Sequence, residues 1–183
     1  QITKENGELK VTPVEIVLTA DSAEKVYDGT ALTKDTYKIT KGAFVGEEGL
    51  ESVTVSGSQT TVGSSANTIT GHTLKENTKA QNYDISYAAG KLTVTKAELA
   101  ITVKADSDEK VYDGSALTKP TATLTAGSLA TGDRLVNTVT GTITDAGTKV
   151  NTLTEVKVMH GEGDAAVDVT ENYQITKENG ELK

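Results

Sequence analysis

The stretch GKLTVTKAELAITVKA, Gly90–Ala105, changes the parity of its apolar residues halfway along. Leu92 and Val94 fall on even numbers, whereas Leu99, Ile101 and Val103 fall on odd ones. Strand side chains alternate between two faces, so a parity change carries the apolar set to the opposite side. The stretch reads as one nearly continuous extended segment. Its first half closes one core and its second half opens the next, with Lys96–Glu98 at the change. The N-terminal region repeats the pattern: Leu9 and Val11 are odd, Val14, Ile16 and Leu18 are even, and Pro13 sits between them. So short a connection predicts a stiff junction between two β modules.

Working outward, the chain repeats itself on two scales. QITKENGELK occurs at Gln1–Lys10 and again at Gln174–Lys183, a period of 173 residues (174 − 1). This identity is the mark of a tandem array, and self-similarity constrains a fold before any other feature. EKVYDGTALTK at Glu24–Lys34 returns as EKVYDGSALTK at Glu109–Lys119, an offset of 85 (109 − 24), with Thr30 replaced by Ser115. Gly57, Gly63 and Asn67 align with Gly141, Gly147 and Asn151. The NY pairs, Asn82–Tyr83 and Asn172–Tyr173, lie 90 apart (172 − 82), so the second half carries an insertion, placed in the polar loop Gly161–Asp168. The expected division is 1–11 as the tail strand of a preceding repeat, 12–96 as a first module and 97–183 as a second. Modules of this length are of ordinary domain size.

Composition agrees with thin β cores. Of 183 residues, 36% are apolar and 4% aromatic, with no Trp and one Phe. Thr occurs 31 times, mostly beside Val, Ile or Leu, and branching at Cβ suits a pleated sheet. Alternation places strands at Tyr37/Ile39, Val53/Val55 and Tyr83/Ile85/Tyr87. Ala88–Gly90 is expected to turn the last of these into Leu92–Val94 as a hairpin. KGAFVGEEGL from Lys41 and AGSLATGDRL from Ala126 read as Gly-bounded loops with room for one helical turn. The fold class is all-β: two small modules end to end, each an immunoglobulin-like sandwich. The alternative is a β-grasp-like α+β module, if those loops are helical.

The net charge is −8, Arg134 is the only arginine and the lysines are scattered. Nucleic acid needs a concentrated basic footprint, so neither it nor an anionic membrane surface is an expected partner. No apolar run approaches the roughly 20 residues that span a bilayer. The absence of cysteine removes disulfides and thiolate chemistry.

The sharpest motif is VYDG, at Val26–Gly29 and Val111–Gly114. Asp accepts backbone hydrogen bonds in turns, Gly tolerates positive φ, and Tyr buries its ring while its hydroxyl seeks a partner. Tyr27, Asp28, Gly29, Tyr112, Asp113 and Gly114 are accordingly structural motif residues. The competing possibility is calcium held by Asp21, Glu24 and Asp28, and again by Asp106, Glu109 and Asp113, but the spacing matches no established calcium loop. No catalytic, cofactor-binding or metal-binding residue is assigned. His72 and His160 lie in loop-like surroundings near strand ends without a shared column. Asn67, Asn77 and Asn82 are chemically able to form Lys–Asn isopeptide bonds, though nothing fixes that geometry.

KVYDGTALTK, followed by VGSSANTI, NYDI and GKLTVTKAE, resembles the YDG-type repeats of large bacterial surface adhesins, including filamentous-haemagglutinin-like proteins. It is also similar to the related repeats with a Tyr-Gly motif at that place. The resemblance spans nearly the whole chain, twice. It implies tandem β modules on a bacterial cell surface, with no enzyme activity and no cofactor. The implied function is a stalk or spacer, an elongated monomer whose partners are adjacent repeats of its own chain and which holds a distal binding domain away from the cell. The alternative is a module that itself binds host protein or glycan weakly and gains avidity from copy number. Tyr37 and Tyr87 lack Tyr counterparts in the second module and are the candidate ligand contacts; the competing expectation is that they face the core.

Overall fold

The computed structural model describes residues 3–183. Residues 3–13 form no strand, and the side chains of Leu9 and Val11 are fully exposed. Of the expected tail strand, Gln1 and Ile2 lie outside the described residues. Among the described residues regular structure starts after Pro13, which donates no hydrogen bond and so suits the residue ahead of a strand.

The fold is all-β. Strand β1 (Val14–Ala20) is central in a three-stranded sheet. It pairs antiparallel with β3 (Tyr37–Lys41) and parallel with β6 (Tyr83–Ala88). A second sheet has the order β2 (Ala23–Val26), β7 (Gly90–Thr95), β5 (Gly63–Leu74), β4 (Leu50–Ser56). Ile16, Leu18 and Ala20 of β1 bury with Ile69 and Tyr83, and Tyr37, Phe44, Leu50, Val53, Val55 and Ile85 pack around them. Each fully buried aliphatic side chain contributes about 1.5–3 kcal/mol.

The second half reproduces these pairings. Strand β8 (Leu99–Ala105) lies between β9 (Ala122–Ala126), antiparallel, and β13 (Tyr173–Glu178), parallel. Leu18↔Ile39 and Ala20↔Tyr37 recur as Val103↔Leu124 and Ala105↔Ala122, and the bulge at Val17/Leu18 recurs at Thr102/Val103. The parallel pair Val14↔Tyr83 recurs as Leu99↔Tyr173. Strand β10 (Asp133–Thr140) pairs antiparallel with β11 (Lys149–His160), as β4 does with β5. β11 also holds β14 (Gly180–Leu182).

The buried set changes parity as expected. Leu92 and Val94 are buried before Lys96–Glu98, and Ile101, Val103 and Ala105 after it. β7 ends at Thr95 and β8 begins at Leu99. Between them Ala97 is buried and donates its N–H to Asn172 Oδ1 at 3.3 Å.

Three local expectations are corrected. β6 and β7 are not a hairpin: they lie in different sheets, with Ala89 alone between them. A hairpin needs at least two connecting residues, so a single one sends the chain to the other sheet. The Gly161–Asp168 insertion is not a plain loop. It makes a 3-10 turn at Gly163–Ala165 and a short strand, β12 (Val167–Asp168), that pairs with Met159 and His160 at the end of β11. The Gly-bounded loops contain no helical turn; Glu48 N–H closes on Val45 O at 3.1 Å, and Asp133 N–H on Ala130 O at 3.1 Å. The only helical elements among the described residues are three 3-10 turns, so the α+β alternative is not realised.

The chain forms two compact units. One contains the segment ending at Glu24, with Leu32–Gln59 and Ser64–Thr93; the other contains Lys25–Ala31, Thr60–Gly63 and Val94–Lys183. The first VYDG turn therefore belongs to the second unit, although the sequence division at residue 96 assigns it to the first module.

Candidate functional site

Both VYDG turns are built alike. Asp28 Oδ1 accepts from Thr30 N–H and Thr30 Oγ1 at 2.8 Å each, and from Lys25 Nζ at 2.6 Å. Asp113 Oδ1 does the same with Ser115 N–H at 2.8 Å, Ser115 Oγ at 2.7 Å and Lys110 Nζ at 2.8 Å. The Thr30/Ser115 difference is silent because both hydroxyls fill one role. Lys25 beside Asp28 brings its carboxyl down to about 2, and Lys110 holds Asp113 below the usual carboxylate range. Gly29 and Gly114 have φ of 77° and 79°, a region that glycine enters without the Cβ penalty.

The calcium alternative asked one cluster of three carboxylates from each repeat. Asp28 is instead spent inside its turn, and Asp21 accepts from Thr36 Oγ1 at 2.6 Å and faces Lys38. Among the described residues no group of three or more His, Cys, Asp or Glu is placed to hold a metal.

The environments of the two turns differ sharply. Tyr27 is 2% exposed, whereas Tyr112 is 64% exposed. Tyr27 Oη donates to Asp133 Oδ1 at 2.6 Å, and Tyr173 Oη donates to Asp133 Oδ2 at 2.6 Å. His160 Nδ1 lies 2.6 Å from Asp133 Oδ1, and its ring stands edge-on to Tyr27. The Asp133 side chain is fully buried, so three convergent donors offset its desolvation. Burial, then the hydrogen bond to Asp133, raises Tyr173 to about 12 and raises Tyr27 as well. The Asp133 loop also grips the main chain of the turn. Thr131 N–H donates to Asp28 O at 3.2 Å, and a Cβ on Gly29 would stand 2.0 Å from Thr131 O. Around Gly114 there is open space.

Half of this socket recurs in the first unit. Tyr83 Oη donates to Glu48 Oε2 and accepts from Val45 N–H at 3.0 Å, as Tyr173 Oη accepts from Ala130 N–H at 2.9 Å. Asp133 and Glu48 were not singled out by the sequence, and Tyr83, Tyr173 and His160 entered only as a strand position, NY-pair members and an isolated histidine. The readable signals were the aligned NY pairs and the acid shared by GAFVGEE and GSLATGD. His160 has no histidine in its column, which hid it. The structure also moves both histidines out of loops: His72 lies within β5 and His160 ends β11.

Asn67 and Asn151 form a second matched pair, both fully buried. Asn67 Nδ2 donates to Asp21 O at 2.8 Å and Lys34 O at 2.7 Å; Asn151 Nδ2 donates to Asp106 O and Lys119 O at 2.8 Å each. Their Oδ1 atoms face Gly57 and Gly141, where a Cβ would come within 2.6 and 2.4 Å. Both N–H groups of Asn67 are thus committed to main-chain carbonyls.

The two remaining tyrosines part company. Tyr37 packs on the first core opposite Ala20. Tyr87, beside Leu18, is 44% exposed, and its hydroxyl is 2.5 Å from His72 Nδ1.

Compared with family models, curated proteins and solved structures, the chain matches none.

Proposed function

We propose that the chain is a structural spacer from the stalk of a bacterial cell-surface adhesin, built from two tandem β modules and holding a distal binding domain away from the cell. The carrying observation is the recurrence of β1–β3–β6 as β8–β9–β13, with the same partners and the same bulge. Duplicated modules that share a main-chain joint let an array change length by whole repeats, with interactions mainly between neighbours. Support also comes from the sequence resemblance to YDG-type adhesin repeats. In this proposal each module is a sandwich-type domain of immunoglobulin-like size, with one parallel pair added to antiparallel neighbours. The turns serve architecture, and no residue is given a catalytic role. Small-angle scattering tests it: an elongated monomer is expected, and a compact particle with the halves side by side overturns it.

One observation favours a second function. Tyr87, exposed and steadied by His72, offers an aromatic face for weak binding of host protein or glycan, which tandem copies would amplify. A screen of the chain against matrix proteins and glycans, with Tyr87→Ala as control, decides this.

A further inference from the structure

The geometry points to a repeat-to-repeat lock: the exposed VYDGS turn at Val111–Ser115 docks on the Glu48–Tyr83 groove of a further copy of this repeat. The occupant follows from three observations. First, the turn is preformed. Lys110, Asp113 and Ser115 make the same bonds as Lys25, Asp28 and Thr30, yet Tyr112 and Val111 face solvent. A rigid turn with an exposed aromatic loses little entropy on docking. Second, the twin turn shows what such a motif binds. Tyr27 is seated on a buried carboxylate that also receives a tyrosine hydroxyl from an NY pair, with the adjoining loop against its glycine.

Third, the first unit carries an unfilled version of that seat. A groove of about 620 Å³ is lined by Pro13, Val14, Val45, Glu48, Asn82 and Tyr83. Glu48 occupies the column of Asp133, Val45 that of Ala130, and Tyr83 that of Tyr173. Glu48 spends Oε2 on Tyr83, as Asp133 spends Oδ2 on Tyr173, which leaves Oε1 to accept from Tyr112 Oη. Val45 is 63% exposed at the groove edge and supplies apolar cover for the ring. The spacing agrees. Gln174–Lys183 repeats Gln1–Lys10, so in a tandem array Val11 follows Lys183. The next Glu48 then lies 109 residues beyond Tyr112 (183 + 38 − 112), close to the 106 between Tyr27 and Asp133.

This inference rests on the tandem-array proposal and names what fastens consecutive repeats. The test joins a second Val11–Lys183 directly to Lys183, with Ser115→Thr in the added copy to mark its peptide. Tetranitromethane nitration is followed by mass spectrometry. Tyr112 of the first copy should react about tenfold more slowly than Tyr112 of the second, because only an undocked fraction is open to reagent. Equal nitration of the two overturns the lock. Gly114→Ala in the first copy, or Glu48→Ala in the added copy, should restore reactivity; slow nitration that survives both also overturns it. Scattering on the same protein judges the spacer proposal separately, since the particle can lengthen whether or not Tyr112 is protected.

Discussion

Tyr27 and Asp133 are 106 residues apart in the chain and 2.6 Å apart in space. The tyrosine comes from the first VYDG motif, whereas the aspartate opens β10. Their contact makes a turn motif into a piece of the second unit's interior, and it explains why compact packing and sequence periodicity divide the chain differently. A buried carboxylate with a tyrosine on each oxygen is costly to disturb, because losing one donor removes a strong hydrogen bond that water cannot replace.

Tyr27→Phe keeps the ring and deletes that donor. Hydrogen bonds to charged groups are worth about 1.5–3 kcal/mol, so a loss of about 2 kcal/mol is expected. Tyr112→Phe, at an exposed position, should stay within about 0.5 kcal/mol of the parent. Urea denaturation of both variants measures the difference; equal effects would contradict the seating of Tyr27.

The glycines of the two turns allow a matched comparison. Both sit at positive φ, where an L residue costs about 1–2 kcal/mol. Only Gly29 also faces main chain, with Thr131 O in the way of a Cβ. Gly29→Ala should therefore destabilise roughly twice as much as Gly114→Ala, or more, since rigid backbone must move aside. Thermal melts of the two single variants provide the comparison.

Asn67 and Asn151 tie loops to strands in both halves, each through two carbonyls. Asn67→Ala removes both bonds and strands Asp21 O and Lys34 O, a loss of about 3 kcal/mol. Gly57→Ala attacks the same peg from the other side, because the new methyl would stand 2.6 Å from Asn67 Oδ1. Asn67→Ala/Gly57→Ala should cost less than the sum of the single changes, which a double-mutant cycle measures.

Local patterning made much of this fold legible. The parity change between Val94 and Leu99, the alternation at Tyr83–Tyr87 and the turn chemistry of Asp28–Thr30 all follow from two-residue periodicity and side-chain hydrogen bonding. Strand partners were not legible, because periodicity assigns a face and no neighbour; the parallel β1–β6 pair and the sheet change at Ala89 are long-range outcomes. The socket stayed hidden for a related reason. Asp133, His160 and Tyr173 are far apart in sequence, and a Glu-to-Asp change between repeats looks like surface drift until a tyrosine is found on each oxygen.

The aspartates of the turns carry a signature in acid. Lys25, followed by the Thr30 bonds, lowers Asp28 to about 2, so the folded value lies below the usual unfolded one near 3.9. A lowered folded pKa means stabilisation that is present above the unfolded value and lost as pH falls through the folded one. The Thr30 amide shift in 1H–15N spectra should titrate with a midpoint near 2, and Asp28→Asn should abolish the step. A midpoint near 4 would show that the turn does not hold its carboxylate.

At the alkaline end the sign reverses in origin. Burial first, and Asp133 second, raise Tyr173 to about 12 and also raise Tyr27, against about 10 for free tyrosine. The folded state holds these protons more tightly than the unfolded chain does. The stabilisation is therefore complete below about pH 10 and is lost as pH climbs toward 12. Lysines also titrate in that window, so the decisive quantity is a difference between variants. Between pH 9 and about 12, the parent's urea midpoint should fall more steeply than that of Tyr27→Phe/Tyr173→Phe, which has no socket protons to lose. Parallel curves for the two proteins would mean that the hydroxyls over Asp133 ionise as freely in the fold as outside it.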